Sequence, residues 1–133
     1  MDVLGLCAQL KMELSQLSPE DEEEFRASLG VEQPGAQRVL QKSLSLLKLV
    51  SFFTVVSHEV RAWTVPRDTL ALKAAGRIHS DMERGFIRAE VITFDNLEQC
   101  GSTAEGKKCG LVRLEGKNYA VQDGDIITFL FNV

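Results

Sequence analysis

The stretch Tyr119-Ala-Val-Gln-Asp-Gly-Asp-Ile-Ile-Thr-Phe-Leu-Phe131, close to the end of the chain, decides the fold. Its centre is Asp123-Gly124, a dipeptide typical of tight turns, so we predict strands on both sides, Tyr119 to Val121 and Ile126 to Val133. The last of these strands is apolar on both faces: Ile127, Phe129 and Phe131 alternate with Ile126 and Leu130. A strand covered on both faces usually lies inside a sheet. We therefore predict that the final strand is the central one.

The preceding residues predict the partners of that strand. Phe52 to Val56 and Glu59 to Val65 have the composition of two strands, joined by a tight turn near Ser57-His58. A short helix is expected from Leu70 to His79, followed by a strand in which Ile87, Ala89 and Val91 form the buried side. Residues 95–110 are polar and glycine-rich, which indicates a surface helix or loop. A hairpin, a helix, a strand and a final central strand are the order of a β-grasp, in which one sheet wraps one helix.

The first 50 residues are predicted to be helical. Leucines recur at helical spacing and should form a stripe for a partner surface: Leu6, Leu10, Leu14 and Leu17. Ser18-Pro19 followed by acidic residues is a strong helix start, and Gly30 supplies the left-handed residue that ends it. A third helix is expected from Gln37 to about Lys48. We predict an α+β protein with a helical lead-in, residues 1–50, and a β-grasp domain, residues 51–133.

Composition excludes several function classes. The chain has 133 residues and a net charge of −4, so it has no global attraction to nucleic acid or to anionic membranes. Residues 1–50 hold 5 basic and 8 acidic residues (net −3), and residues 51–133 hold 10 and 11 (net −1). No run approaches the roughly 20 apolar residues that cross a bilayer. The N-terminus also lacks the basic flank and apolar run of a signal peptide, so we expect a cytoplasmic location. Three cysteines and two histidines give no zinc-site spacing, so we expect free thiols and no metal.

One segment imitates a phosphate-binding loop. Gly101-Ser-Thr-Ala-Glu-Gly-Lys107 fits the spacing G-x-x-x-x-G-K, but Lys108 stands where a serine or threonine must hold magnesium. The residues before it are polar, whereas a phosphate loop follows a buried strand. No nucleophile and base can be paired either, since Ser57 and His58 are neighbours in a predicted turn. We expect no catalytic residue and no bound nucleotide in this chain.

Five motifs, in order, resemble the C-terminal region of the YchF or Obg-like ATPase family, which ends in a TGS domain, a ubiquitin-like β-grasp. They are Glu59-Val-Arg-Ala-Trp-Thr64, Ala74-Ala-Gly-Arg-Ile-His-Ser-Asp81, Gly85-Phe-Ile-Arg-Ala-Glu-Val91, Arg113-Leu-Glu-Gly-Lys-Asn-Tyr119 and Asp123-Gly-Asp-Ile-Ile127. Residues 1–50 are similar to the segment that leads into that domain. Cys7-Ala8-Gln9 stands where the family usually has Ser-Ala-Lys, and Pro66-Arg67-Asp68 replaces the family's basic, glycine-containing turn.

The resemblance implies a truncated member of the family, a C-terminal module of a ribosome-associated ATP- or GTP-binding protein. The family's own phosphate loop lies in a nucleotide domain that is not among these residues, so ATP or GTP and magnesium are expected only in full-length members. The module would contribute to ribosome or RNA binding. Two alternatives stay open: a partial nucleotide-binding fragment that needs a separate nucleotide domain, and a ubiquitin-like module that binds proteins. The oligomeric state is also open.

The residues proposed to contact RNA are basic or aromatic. Arg61 and Trp63 share a strand face, so a guanidinium beside an exposed aromatic ring would form a platform for bases, which Arg88 would join across the sheet. His79 is the last residue of the predicted helix, where it would contact a base or cap the helix C-terminus. The complete set of candidates is Arg61, Trp63, Arg77, His79, Arg84 and Arg88.

Overall fold

The computed structural model describes residues 3–31, 33–56 and 59–132. The chain divides into two units, Met1–Leu47 and Lys48–Val133. None of the helices in the described part of the chain is long and apolar enough to span a membrane.

The described residues of the first unit form three helices: α1 (Ala8–Leu14), α2 (Pro19–Ser28) and α3 (Gly35–Leu46). The start of α2 is as predicted, because the Ser18 hydroxyl accepts a hydrogen bond from the backbone N–H of Asp21 at 3.2 Å. Gly30 follows the helix with φ of +68°, the left-handed conformation expected there. The leucine stripe is less regular than predicted, since Leu6 precedes α1 and Leu17 follows it.

The residues described in the second unit include a five-stranded mixed sheet with the order β2-β1-β5-β3-β4. Its elements are β1 (Leu49–Val56), β2 (Glu59–Pro66), α4 (Ala71–Ile78), α5 (Ser80–Arg84), β3 (Phe86–Ile92), α6 (Phe94–Cys100), α7 (Thr103–Lys108), β4 (Arg113–Glu115) and β5 (Ile126–Phe131). The last strand is central, as predicted, because β5 pairs parallel to β1 and antiparallel to β3. This topology is a β-grasp, which confirms the predicted fold.

The core lies between one face of the sheet and α4. Ala71, Ala74 and Ala75 of α4 are fully buried, so the helix backbone approaches the sheet closely. Phe52 and Phe129 from neighbouring strands meet edge to face, with ring centroids 6.0 Å apart. These small and large side chains interlock, so the helix is held by apolar packing.

Several local predictions were wrong. Tyr119 to Val121 is not a strand: it forms only an isolated bridge, Ala120 with Leu70, and the short edge strand β4 was not predicted. Ile87 was expected to be buried but is 55% exposed, because a register shift between Phe86 and Arg88 inserts an extra residue there. The predicted turn at residues 57–58 lies outside the described residues.

The region predicted as a surface helix or loop forms α6 and α7. The helix α5 was not predicted, and it ends at Gly85, where a side chain would collide with the main chain. A Cβ atom on Gly85 would overlap the carbonyl oxygen of Asn132, whose N–H donates to the Gly85 oxygen at 2.9 Å. Glycine is therefore required at this close approach of two backbones.

Candidate nucleic-acid interface

The six candidate side chains fall in three places rather than on one surface. Arg61 and Trp63 lie on β2, and Arg88 lies on β3. Arg77, His79 and Arg84 surround the junction of α4 and α5. The candidates in these three places differ in how exposed their side chains are and in the partners those side chains already have.

Trp63 does not form the exposed platform that was predicted. Its register partner on β1 is Phe52, so it lies on the core side of the sheet and packs against the core. Its indole N–H donates to the Thr54 hydroxyl at 3.0 Å. A half-buried ring with its donor occupied offers no free face for a base, and Trp63 contributes instead to apolar packing against the core.

Arg61 shares the face of Trp63, as predicted, but it already has a partner. Its Nε and NH2 groups donate to the two carboxylate oxygens of Glu59 at 3.0 and 3.2 Å. Both side chains are more than 60% exposed, and an ion pair in that environment contributes little, about 0–1 kcal/mol. A phosphate could replace Glu59, although the carboxylate reduces the positive potential.

Arg88 cannot join Arg61 and Trp63, and this prediction was wrong. It alternates along β3 with Ala89, which is fully buried on the core side, so Arg88 lies on the opposite face of the sheet. It is exposed and has no hydrogen-bond or ion-pair partner within the described part of the chain. A ligand bound to Arg88 would therefore approach a different side of the sheet.

The junction of α4 and α5 brings three candidates to one exposed corner. His79 ends α4 and its ring caps α5, with Nδ1 accepting the backbone N–H of Asp81 at 3.2 Å. The side-chain cap therefore belongs to the helix that follows His79, not to the helix before it as one hypothesis had it. Because Nδ1 accepts a backbone proton, the neutral ring carries its own proton on Nε2. The side chain of His79 is 63% exposed, so the ring is accessible to a ligand.

Two arginines flank this histidine. Arg77 is exposed in the last turn of α4, and nothing in the described residues pairs with it. Arg84 lies in the last turn of α5, is 73% exposed, and its guanidinium pairs with the carboxylate of Asp81. The corner therefore presents two guanidinium groups and an imidazole N–H, which are donors that suit phosphate and ribose oxygens.

The phosphate-loop imitation is a helical hairpin. Gly101 ends α6 with φ of +74°, and Ser102 caps the six-residue α7 through a hydrogen bond from the Glu105 N–H at 3.2 Å. The Nζ atom of Lys107 lies 2.7 Å from the carboxylate of Glu90 on β3. A helix precedes this glycine where a phosphate loop has a strand, and its lysine is engaged elsewhere. This geometry disfavours nucleotide binding at the segment.

A buried polar cluster was missed by the sequence reasoning. Asp125, 2% exposed, accepts hydrogen bonds from the Tyr119 hydroxyl at 2.7 Å and from the Gln122 N–H at 2.9 Å. The guanidinium of Arg113 donates to the same hydroxyl at 3.1 Å and lies 5.5 Å from the ring centroid. Burial and the hydrogen bond to Asp125 raise the pKa of Tyr119 to about 12. All three residues stand in motifs quoted above, Arg113 to Tyr119 and Asp123 to Ile127, but no pattern in the sequence showed that they contact one another.

This cluster holds the turn that leads into β5. Asp125 fixes the backbone at Gln122, and its own carbonyl oxygen accepts the Phe53 N–H at 2.8 Å. The turn is thereby fastened to β1, which positions the central strand. Because the hydroxyl, the guanidinium and the carboxylate satisfy one another, we assign the cluster to stability rather than to chemistry.

No group of three or more histidine, cysteine, aspartate or glutamate side chains lies close enough to hold a metal ion among the residues the structure describes. The three cysteines are free thiols, and those at positions 7 and 109 are exposed.

Comparison with known proteins identifies the family. Residues 49–132 match the family described as YchF-GTPase_C, protein of unknown function (DUF933). The chain is 46% identical over 132 residues to the ribosome-binding ATPase YchF of Bacillus subtilis, which covers 99% of this chain and 36% of that protein. It is 47% identical over 131 residues to the protein of the same name from Pasteurella multocida, which covers 98% of this chain and 36% of that protein.

A solved structure agrees with the sequence relatives. The Schizosaccharomyces pombe YchF GTPase superposes with a TM-score of 0.76 at 27% identity, covering 89% of this chain and 31% of that protein. The chain thus spans about a third of the length of the relatives it matches. It belongs to the YchF family, and its residues correspond to the C-terminal region of that family.

Proposed function

We propose that this chain is a non-catalytic, TGS-type ribosome-binding module that contacts ribosomal RNA through the α4–α5 corner. The observation that carries the proposal is the exposed side chain of His79 at the junction of α4 and α5, with Arg77 and Arg84 in the last turns of those two helices. The name of the relatives, ribosome-binding ATPase, supports the same partner.

The proposed chemistry is recognition of backbone and ribose rather than of base sequence. Guanidinium groups bind phosphate oxygens with charge-assisted hydrogen bonds, and an imidazole N–H can donate to a ribose hydroxyl or a base edge. Arg84 would exchange its exposed pairing with Asp81 for a phosphate, which costs little at a solvated surface. Trp63 is not part of this interface, and Arg61 and Arg88 would belong to separate contacts.

ATP hydrolysis is assigned to the part of the relatives that this chain does not span. The phosphate-loop imitation supports this division, because Lys107 pairs with Glu90 and no strand precedes Gly101. Calorimetry with ATP and magnesium should therefore give no binding heat with this chain. Stoichiometric binding would contradict the division.

Co-sedimentation with purified ribosomes over a series of salt concentrations tests the RNA contact. The double variant R77Q/R84Q should bind at least about tenfold more weakly, and each lost phosphate contact should reduce the slope of log K against log salt by about 0.7–0.9. The matched control is K108Q/K117Q, which removes the same charge from two other exposed positions. Equal binding by both double variants, or no co-sedimentation of the unaltered chain, would refute the proposal.

The capping role of His79 is separated from RNA contact by two substitutions. Asparagine is a good helix N-cap, so H79N keeps the cap and removes the ring, whereas H79A removes both. If the ring contacts RNA, both variants should lose binding while only H79A loses stability. Normal ribosome binding by H79N would show that His79 caps α5 and does not contact RNA.

A further inference from the structure

The strand β2 forms one edge of the sheet and is long for an edge strand. It runs for eight residues, Glu59–Pro66, and pairs with β1 alone in the described structure. Its pairing with β1 is continuous, without a bulge. An unprotected edge of this kind is a template for another strand.

The direction of the main-chain groups on β1 fixes which groups of β2 point outward. The Ser51 oxygen accepts the Gly124 N–H at 2.8 Å, and the Phe53 N–H donates to the Asp125 oxygen at 2.8 Å. Residues 51 and 53 therefore direct their main-chain groups away from β2, toward β5. Residues 50, 52 and 54 must then supply the hydrogen bonds to β2, because the direction alternates along a strand.

The partners of those three residues on β2 are Val65, Trp63 and Arg61. The intervening residues, Val60, Ala62 and Thr64, consequently direct their N–H and C=O groups to the open edge. All three are exposed, Val60 to 63%. The two charged side chains of the strand, Glu59 and Arg61, pair with each other, and its proline, Pro66, stands at the very end, so neither device interrupts pairing along residues 60–64.

We propose that this edge pairs with the same edge of a second copy of the chain, antiparallel, about a two-fold axis at Ala62. The two sheets would become one continuous sheet. Val60 of each copy would lie opposite Thr64 of the other, and the two Ala62 residues would face each other. Each of these three pairs would exchange two hydrogen bonds, about six in all.

The neighbouring symmetric registers are unfavourable. An axis at Arg61 would place two guanidinium groups directly opposite each other, and like charges in that position are destabilising. An axis at Trp63 would place Val60 opposite Pro66, which has no N–H to donate. The axis at Ala62 instead sets Arg61 across from Trp63, so that no like charges face each other and the proline stays outside the paired residues.

The edge is therefore self-complementary, and this argues for a second copy over an unrelated peptide. The charge of the domain does not oppose the pairing, since residues 51–133 carry 10 basic and 11 acidic residues, net −1. Small side chains at the axis also let the two backbones approach without steric conflict. The proposal does not rest on ribosome binding, which involves the α4–α5 corner.

Sedimentation velocity of the full chain over a range of concentrations tests the proposal. The unaltered chain should show a concentration-dependent dimer, and A62K, which places like charges opposite each other, should weaken it at least tenfold. The matched control T128K adds the same charge to an exposed position of the central strand β5 and should dimerise normally. A monomer at every concentration, or equal dimerisation of A62K and T128K, would overturn the proposal.

Disulfide trapping tests the register in a background carrying C7S, C100S and C109S. Hydrogen-bonded pairs have Cα atoms about 5.5 Å apart, within the range that a disulfide spans, so A62C should cross-link to itself on oxidation. V60C alone should not, because its two copies would be about 13 Å apart along the strand. A mixture of V60C and T64C chains should cross-link. Self-linking by V60C, or none by A62C, would refute this pairing.

Discussion

Tyr119 gives the sharpest test of the structure, because it is the only tyrosine in the chain. Its tyrosinate absorbance therefore reports a single group. Burial, followed by the hydrogen bond to Asp125, raises the pKa of Tyr119 to about 12, whereas the hydrogen bond from Arg113 lowers it. We expect a folded midpoint near pH 12 and a midpoint near 10 in strong denaturant.

Two substitutions should move this midpoint in opposite directions. D125N removes the carboxylate that accepts the hydroxyl proton, so the pKa of Tyr119 should fall toward 10. R113M removes the guanidinium that favours the tyrosinate, so the pKa should rise. Tryptophan fluorescence at each pH shows that the protein is still folded, since Trp63 is the single tryptophan and packs against the core.

The same perturbation predicts a loss of stability at high pH. The folded-state pKa is raised, so the stabilisation is fully present below about pH 10 and is lost as the pH rises through about 12. Two pH units correspond to roughly 2.7 kcal/mol, but Tyr119 is partly exposed and solvent screening should reduce this to about 1 kcal/mol. The free energy of unfolding, measured with urea between pH 8 and pH 11, should fall toward high pH for the unaltered chain, and this loss should be absent in Y119F. A folded midpoint near 10, unchanged by either substitution, would refute the assignment.

Three further predictions concern stability and are measured by urea unfolding or hydrogen exchange. G85A should destabilise the domain by at least about 2 kcal/mol because its Cβ would collide with main chain, whereas G76A, whose closest contacts are the carboxylate end of the flexible Glu83 side chain, should change stability by less than about 1 kcal/mol. F52A should cost about 3–5 kcal/mol, since this ring is fully buried, and F94A, at an exposed position, less than about 0.5 kcal/mol; similar values for the two would contradict the assigned core. The backbone amides of residues 3–17 should exchange rapidly, because α1 has only seven residues and a single buried side chain; slow exchange in a monomer would contradict this.

Hydrophobic patterning was sufficient to predict the fold because the decisive strand carries an unusual signal. Ile126 and Ile127 are both buried on opposite faces of β5, and this is why the central position could be inferred. The second half of the same strand is different, since Leu130 and Phe131 are partly exposed. The capped start of α2 was equally predictable, because the interaction between Ser18 and Asp21 is local in sequence.

Contacts between distant segments could not be predicted in the same way. The strand β4 has only three residues and exists because it pairs with β3 across an intervening pair of helices. The cluster around Asp125 depends on residues that the fold brings together from two sides of a turn. Such features follow from tertiary structure, and the intrinsic preferences of three residues do not reveal them.

Candidate surface residues are the hardest to place, and β2 shows why. Because side chains alternate in direction along a strand, the sequence predicts that Trp63 and Arg61 share a face of β2. It does not predict which of the two faces is buried. Val60, Ala62 and Thr64 form an equally plausible apolar side, and only the pairing of Trp63 with buried Phe52 decides between the two. Whether Arg61 shares a face of the sheet with a given residue on β3 also depends on the register of the strands between them, β1 and β5. A change of that register by one residue would move the two residues to opposite faces, or to the same one. A surface assembled from several strands is therefore a property of the sheet, whereas Arg77, His79 and Arg84 lie within one short segment of chain, so sequence order alone keeps them near one another although α5 was not predicted.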